Sequence, residues 1–209
     1  MLNNPADMLG IVLRGTLGRT GRKRARKAGK FLTGNKGFLS ASALISAAGV
    51  AWGIYDTLKN QNQGATAVPG GPAVPGAAVP PLPTAFQHAL DPVVRIIQLA
   101  VSAAKADGTL SDSERALILQ RAREAGLEAV VETELNHSRP LSEIVRGVSD
   151  PATRTELYTL AFTIVRADEA VSGSERIYLA QLAHQLGLDP AAVHALETDI
   201  ANRIDSQAD

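Results

Sequence analysis

The feature that most constrains this chain is a gapless internal repeat. Lys105-Ala-Asp-Gly-Thr-Leu-Ser-Asp-Ser-Glu-Arg115 returns 61 residues later as Arg166-Ala-Asp-Glu-Ala-Val-Ser-Gly-Ser-Glu-Arg176. The register holds from Ala100 over Ala161, through Gln120 over Gln181, to Gly126-Leu127 over Gly187-Leu188. A unit of that length is a whole helix-turn-helix, and two such units are expected to pack together.

Around the repeat the sequence reads as helix. Apolar residues recur at spacings of three and four after Thr84, and no alternating strand pattern appears. Asp91-Pro92, Asp150-Pro151 and Asp189-Pro190 each place an N-cap acceptor before a proline, which suits the first helical position. Ser111 with Glu114, and Ser172 with Glu175, have capping-box spacing, and Gly126 and Gly187 are placed to end the helices that follow. Helices are therefore expected near 92–106, 111–125, 128–136, 142–148, 151–167, 172–186 and 190–204. The expected fold class is all-α: about seven helices built around two repeated helix-turn-helix units. Ile96, Leu99, Ala100, Ala103, Leu157, Leu160, Ala161 and Ile164 are the expected core where the hairpins meet.

The first half has a different character. The 21 basic and 21 acidic residues balance, yet Arg19, Arg22, Lys23, Arg24, Arg26, Lys27 and Lys30 crowd one short stretch, while the region after Pro83 is acidic overall. Residues 37–55 carry no formal charge, and as a helix they would span about 28 Å, near the hydrocarbon thickness of a bilayer. Trp52 and Tyr55 lie at one end, where interfacial aromatics gather. The expected organisation is a basic segment at 1–36, one transmembrane helix at 37–58, a Pro/Gly/Ala-rich linker at 59–84 and a helical domain at 85–209. Six prolines between 69 and 83 make the linker an extended tether. The seven cations named above are expected at the membrane surface, holding the amino terminus on the cytoplasmic side and attracting anionic lipid headgroups. The domain would then lie across the membrane.

Four carboxylates recur with the repeat: Asp107 with Asp168, and Glu114 with Glu175. With Asp112 and Glu169 they form a candidate site for a divalent cation such as Ca²⁺, Mg²⁺ or Mn²⁺, since hard cations take several oxygen ligands. The spacing is not that of an EF-hand, because Glu114 follows Asp107 by only seven positions. Capping accounts equally for Glu114 and Glu175.

The doubled Asp-turn-Ser-x-x-Glu-Arg hairpins, the helical context and the Gly/Ala-rich apolar segment before them resemble the TerB-like family, in particular its inner-membrane branch of the YebE type. The likeness covers roughly residues 85 to 205 and, more loosely, the apolar segment. It implies a compact helical domain at the bacterial inner membrane, acidic residues proposed to bind metal, and an association with tellurite resistance and envelope or chemical stress. It implies no catalytic activity. The second repeat departs from the pattern, with Glu169 in place of glycine and Gly173 opposite Asp112.

Enzyme chemistry is not expected. The chain has no cysteine, so thiolate nucleophiles, thiolate metal sites and disulfides are excluded. His88, His137, His184 and His194 show no metal-ligand spacing on one helix face, and neither a phosphate loop nor a nucleophile elbow is present. The basic run has no interleaved aromatics, which argues against nucleic acid as a partner. Two functions remain open. One is a membrane-anchored, non-enzymatic module that binds a divalent cation or senses stress. The other is a tethered interaction module with a protein partner, or a second copy of itself, in which the carboxylates only cap helices.

Overall fold

A computed structural model describes residues 23–33, 38, 84–108, 110–137, 139–167 and 171–206. Among the described residues the protein is entirely helical: α1 (Lys23–Thr33), α2 (Thr84–Ala104), α3 (Asp112–Glu124), α4 (Glu128–Asn136), α5 (Leu141–Ile144), α6 (Pro151–Arg166), α7 (Gly173–Gln185) and α8 (Pro190–Asp205).

The first helices of the two repeats, α2 and α6, pack against each other and form the centre of the fold. All eight residues expected where the hairpins meet are at most 3% exposed. Ala100, Ala103, Ala104 and Ala161 are buried among them, and short side chains let helix axes approach closely. α4 lies on α2, and α8 lies on α6. The second helices break the symmetry. α3 packs against α4, whereas α7 packs on α6 and α5.

The punctuation read from the sequence determines most of the boundaries. Asp150 Oδ2 accepts from Thr153 N at 2.8 Å, and Asp189 Oδ1 accepts from Ala191 N at 2.9 Å, with Pro151 and Pro190 opening α6 and α8. Gly126 and Gly187 take positive φ angles of 71° and 64°. They let Leu127 N reach Ala122 O at 2.8 Å and Leu188 N reach Ala183 O at 3.0 Å, which ends each helix in a Schellman turn.

Two expected boundaries are corrected. α2 begins at Thr84, so Pro92 lies inside the helix rather than in its first turn. Proline's fixed φ is helical and its missing N–H removes one bond, while buried Val93, Ile96 and Ile97 hold the following turn against the core. The helix expected at 142–148 is the single turn α5, and Gly147 at φ 76° lies just beyond it.

The larger correction concerns the basic segment. α1 is not separate from the helical domain: it packs on α8 and α6, burying Ala25, Ala28, Phe31 and Leu32 in the same core. These positions follow at three and four residues, giving α1 an apolar face beneath its charges. Arg24 Nη2 lies 3.4 Å from Asp205 Oδ1, and Lys27 Nζ donates to Asp205 O at 3.1 Å, so both cations meet the carbonyl end of α8, where the helix dipole favours them. Arg203 lies over the Phe31 ring at 5.3 Å, and Phe31 stacks on Phe38 at 6.2 Å. Of the expected membrane-surface cations, Arg24 and Lys27 face α8, Lys23, Arg26 and Lys30 are exposed, and Arg19 and Arg22 lie outside the described residues.

The expected transmembrane helix at 37–58 lies, apart from Phe38, outside the described residues, as does the linker before Thr84. Among the described residues no helix is long and apolar enough to cross a membrane. The two ends of the 34–83 stretch are nonetheless fixed, since α1 and α2 belong to one core. A single crossing between them would place α1 and the domain on opposite faces of a bilayer, which their shared core does not allow.

Leu32 tests this packing, because its side chain is fully buried. Leu32→Ala is expected to lower the stability of the full chain by about 2–5 kcal/mol in urea unfolding. A segment lying free on a membrane surface would lose nothing measurable.

Candidate functional site

The repeated turns hold the carboxylates to which the sequence points. Ser111 Oγ accepts from Glu114 N at 3.3 Å while Glu114 Oε2 accepts from Ser111 N at 2.9 Å and from Ser111 Oγ at 2.8 Å. The second copy repeats the box: Ser172 Oγ accepts from Glu175 N at 3.2 Å, and Glu175 Oε2 accepts from Ser172 N at 2.7 Å. Glu175 is 2% exposed. Both glutamates thus satisfy backbone donors at the start of α3 and α7, where a carboxylate also complements the helix dipole. Asp107 and Asp112 are exposed on the first turn, and Asp168 and Glu169 lie outside the described residues. Among the described residues no group of three or more His, Asp or Glu side chains converges as a metal site.

Two concavities lie elsewhere. Between α7 and α8, over α6, an open groove of about 540 Å³ follows from the broken symmetry of the second helices. Tyr158, Phe162, Leu179 and Val193 give it apolar walls, and Arg166, Arg176, His194 and Glu197 line it as well. Tyr158 donates its hydroxyl to Glu197 Oε1 at 2.5 Å, and burial, then the Glu197 bond, pushes the phenol pKa up. Arg166 is the informative member. Its Nη2 is 3.9 Å from Asp205 Oδ2, but its Nε is buried without a hydrogen-bond partner. A buried donor left unpaired costs about 1–3 kcal/mol.

The second concavity is smaller, about 210 Å³, where the C-terminal ends of α2 and α4 meet α5 and α7. Glu134, 5% exposed, lies in its wall. Arg139 Nε donates to both Glu134 oxygens, at 2.8 and 3.0 Å, and Gln98 Nε2 donates to Oε1 at 3.2 Å. The burial of this carboxylate is compensated by those three bonds.

Sequence reasoning centred on the carboxylate turns missed both concavities. One signal was present: Val131, Glu134 and Leu135 share i, i+3, i+4 spacing, which puts a carboxylate on the buried face of α4. Arg166 carried no such mark, since its role depends on which helices α7 approaches.

The profile of the family described as "Protein of unknown function (DUF533)" matches residues 6–200. A relative from Yersinia enterocolitica, described as "Uncharacterized protein in ampR 5'region", is 30% identical over 121 residues, covering 56% of this chain and 85% of the relative. No solved structure matches.

Proposed function

The chain belongs to this family of unknown function, and we propose that it is a non-catalytic helical interaction module, held at a membrane, that takes an acidic, apolar segment of a partner protein in the α7–α8 groove. The observation that carries the reading is the unpaired, buried Arg166 Nε beside the apolar walls of Phe162 and Leu179. An apolar segment with a carboxylate would cover those walls and satisfy the guanidinium, and Arg pairs best with a planar carboxylate.

The cation reading is weaker because Glu114 and Glu175, two of its six ligands, are engaged as caps. Placement at the bacterial inner membrane, and a part in envelope or tellurite stress, rest on the resemblance to the TerB-like family of the YebE type. In this proposal the 37–58 segment associates with the bilayer while α1 and the domain remain on one face.

Selection of peptides from a display library on the full chain tests the groove. Recovered peptides are expected to combine apolar residues with Asp or Glu and to bind Arg166→Gln at least tenfold more weakly. Peptides without an acidic residue, or equal binding to Arg166→Gln, contradict the proposal.

A second measurement separates the two functions. Thermal unfolding of the full chain titrated with Ca²⁺, Mg²⁺ and Mn²⁺ is expected to leave the midpoint unchanged. A concentration-dependent rise that Asp107→Asn with Asp168→Asn abolishes would restore the cation site, because a ligand of the folded state alone raises its stability.

A further inference from the structure

α1 has a second face, turned away from the core it helps to build. At about 100° of rotation per residue, Lys23, Arg26 and Lys30 fall within a sector of about 60°, opposite the buried Ala25, Ala28, Phe31 and Leu32. All three are exposed, and they follow one another over about 10 Å of helix axis. α1 itself carries no acidic residue. On α8 beside it, Asp205 meets Arg24 and Arg166, and Asp199 meets Arg203. Arg24 and Lys27 are turned toward the C-terminal end of α8 and stand apart from this face.

The uncharged run of residues 37–55 begins four residues after α1 ends. Its second residue, Phe38, is held on the domain: the ring stacks on Phe31 at 6.2 Å and packs against the core. The run therefore starts against the same helix from which the three cations project. Lys and Arg side chains on an amphipathic helix beside an apolar segment are attracted by the negative potential of an anionic lipid surface, an attraction that fades within a Debye length. Nucleic-acid phosphate carries the same charge. However, the one aromatic ring of α1, Phe31, is buried, so this helix offers a base no surface on which to stack.

We propose, on the basis of the membrane association put forward above, that the folded body lies against the bilayer through Lys23, Arg26 and Lys30, which dock on anionic lipid headgroups. The docking surface is then a face of the folded domain rather than a free basic tail. It uses three of the five cations of α1, while Arg24 and Lys27 hold α8. Together with Phe38, it fixes the orientation of the domain at the point where the uncharged run meets the lipid.

Flotation of the full chain with two kinds of vesicle tests this, one of phosphatidylcholine alone and one of phosphatidylcholine and phosphatidylglycerol in equal parts. The chain is expected to partition more strongly onto the anionic vesicles, with a preference that shrinks as salt is raised. Lys23→Gln combined with Arg26→Gln and Lys30→Gln is expected to bind the anionic vesicles about a hundredfold more weakly. Its urea-unfolding midpoint and its binding to neutral vesicles are expected to stay at the wild-type values, because all three side chains are exposed. Arg24→Gln with Lys27→Gln is expected to do the reverse, lowering the midpoint and keeping the preference. In anionic vesicles, a dye on Ser206→Cys, next to the Asp205 that meets α1, is expected to transfer energy to headgroup-labelled lipid more efficiently than a dye on Ser113→Cys of α3. Equal binding of the triple variant and the wild type to anionic vesicles, or equal transfer from the two dyes, would overturn the proposal. So would a preference for duplex DNA over anionic vesicles that the triple variant loses. Loss of binding to neutral vesicles alone would instead count against the association of the 37–58 segment and leave the α1 face standing.

Discussion

The structure depends on the packing of α2 against α6, the first helices of the two repeats. Each presents an apolar face that its own short hairpin cannot cover, and burial of a Leu or Ile side chain contributes about 1.5–3 kcal/mol. Leu99, Leu157, Leu160 and Ile164 are all buried there, with alanines between them to admit the opposing helix. α4 packs on α2, and α8 packs on α6. The divergence follows at the second helices: α3 closes on α4, while α7 leans toward α5 and leaves space beside α8. One displaced helix thus opens the groove and carries Tyr178 to the other cavity.

α1 completes the face that α6 and α8 share. A helix with five cations joins a hydrophobic core because its apolar residues lie on one stripe, while Arg24 and Lys27 end at the carbonyl terminus of α8. The same charges that would suit a lipid surface therefore serve as a helix cap. The consequence reaches beyond stability. Chain that leaves α1 and returns at α2 starts and finishes on the same body, whatever lies between, and this restricts how the apolar 37–58 segment can meet a membrane.

Much of this fold was legible in the sequence, because the signals were local. Ser-x-x-Glu boxes, Asp-Pro starts and the stopping glycines each act within one turn, and α3, α4, α6, α7 and α8 lie close to their expected limits. The core of the repeat was legible because α2 and α6 are periodic and their register is fixed by the repeat. Less visible was whatever depends on distant packing. In α1 the density of charge obscured the Ala25, Ala28, Phe31 and Leu32 stripe, and Pro92 suggested a helix start where the chain was already helical. At the candidate site, Glu114 and Glu175 were readable as caps from spacing alone. The pairing of Glu134 with Arg139 and the unpaired Nε of Arg166 each require the tertiary arrangement.

The central claim is that α1 and the repeat domain form one body, and the proposal built on it is that both lie on one side of any membrane. The chain contains no cysteine, so a pair introduced by Arg24→Cys and Asp205→Cys is unambiguous. In membranes from cells producing the full chain, the account predicts an intramolecular cross-link between the two. It also predicts labelling of each single variant by an impermeant thiol reagent from the same face. No cross-link, with the two positions labelled from opposite faces, would contradict it.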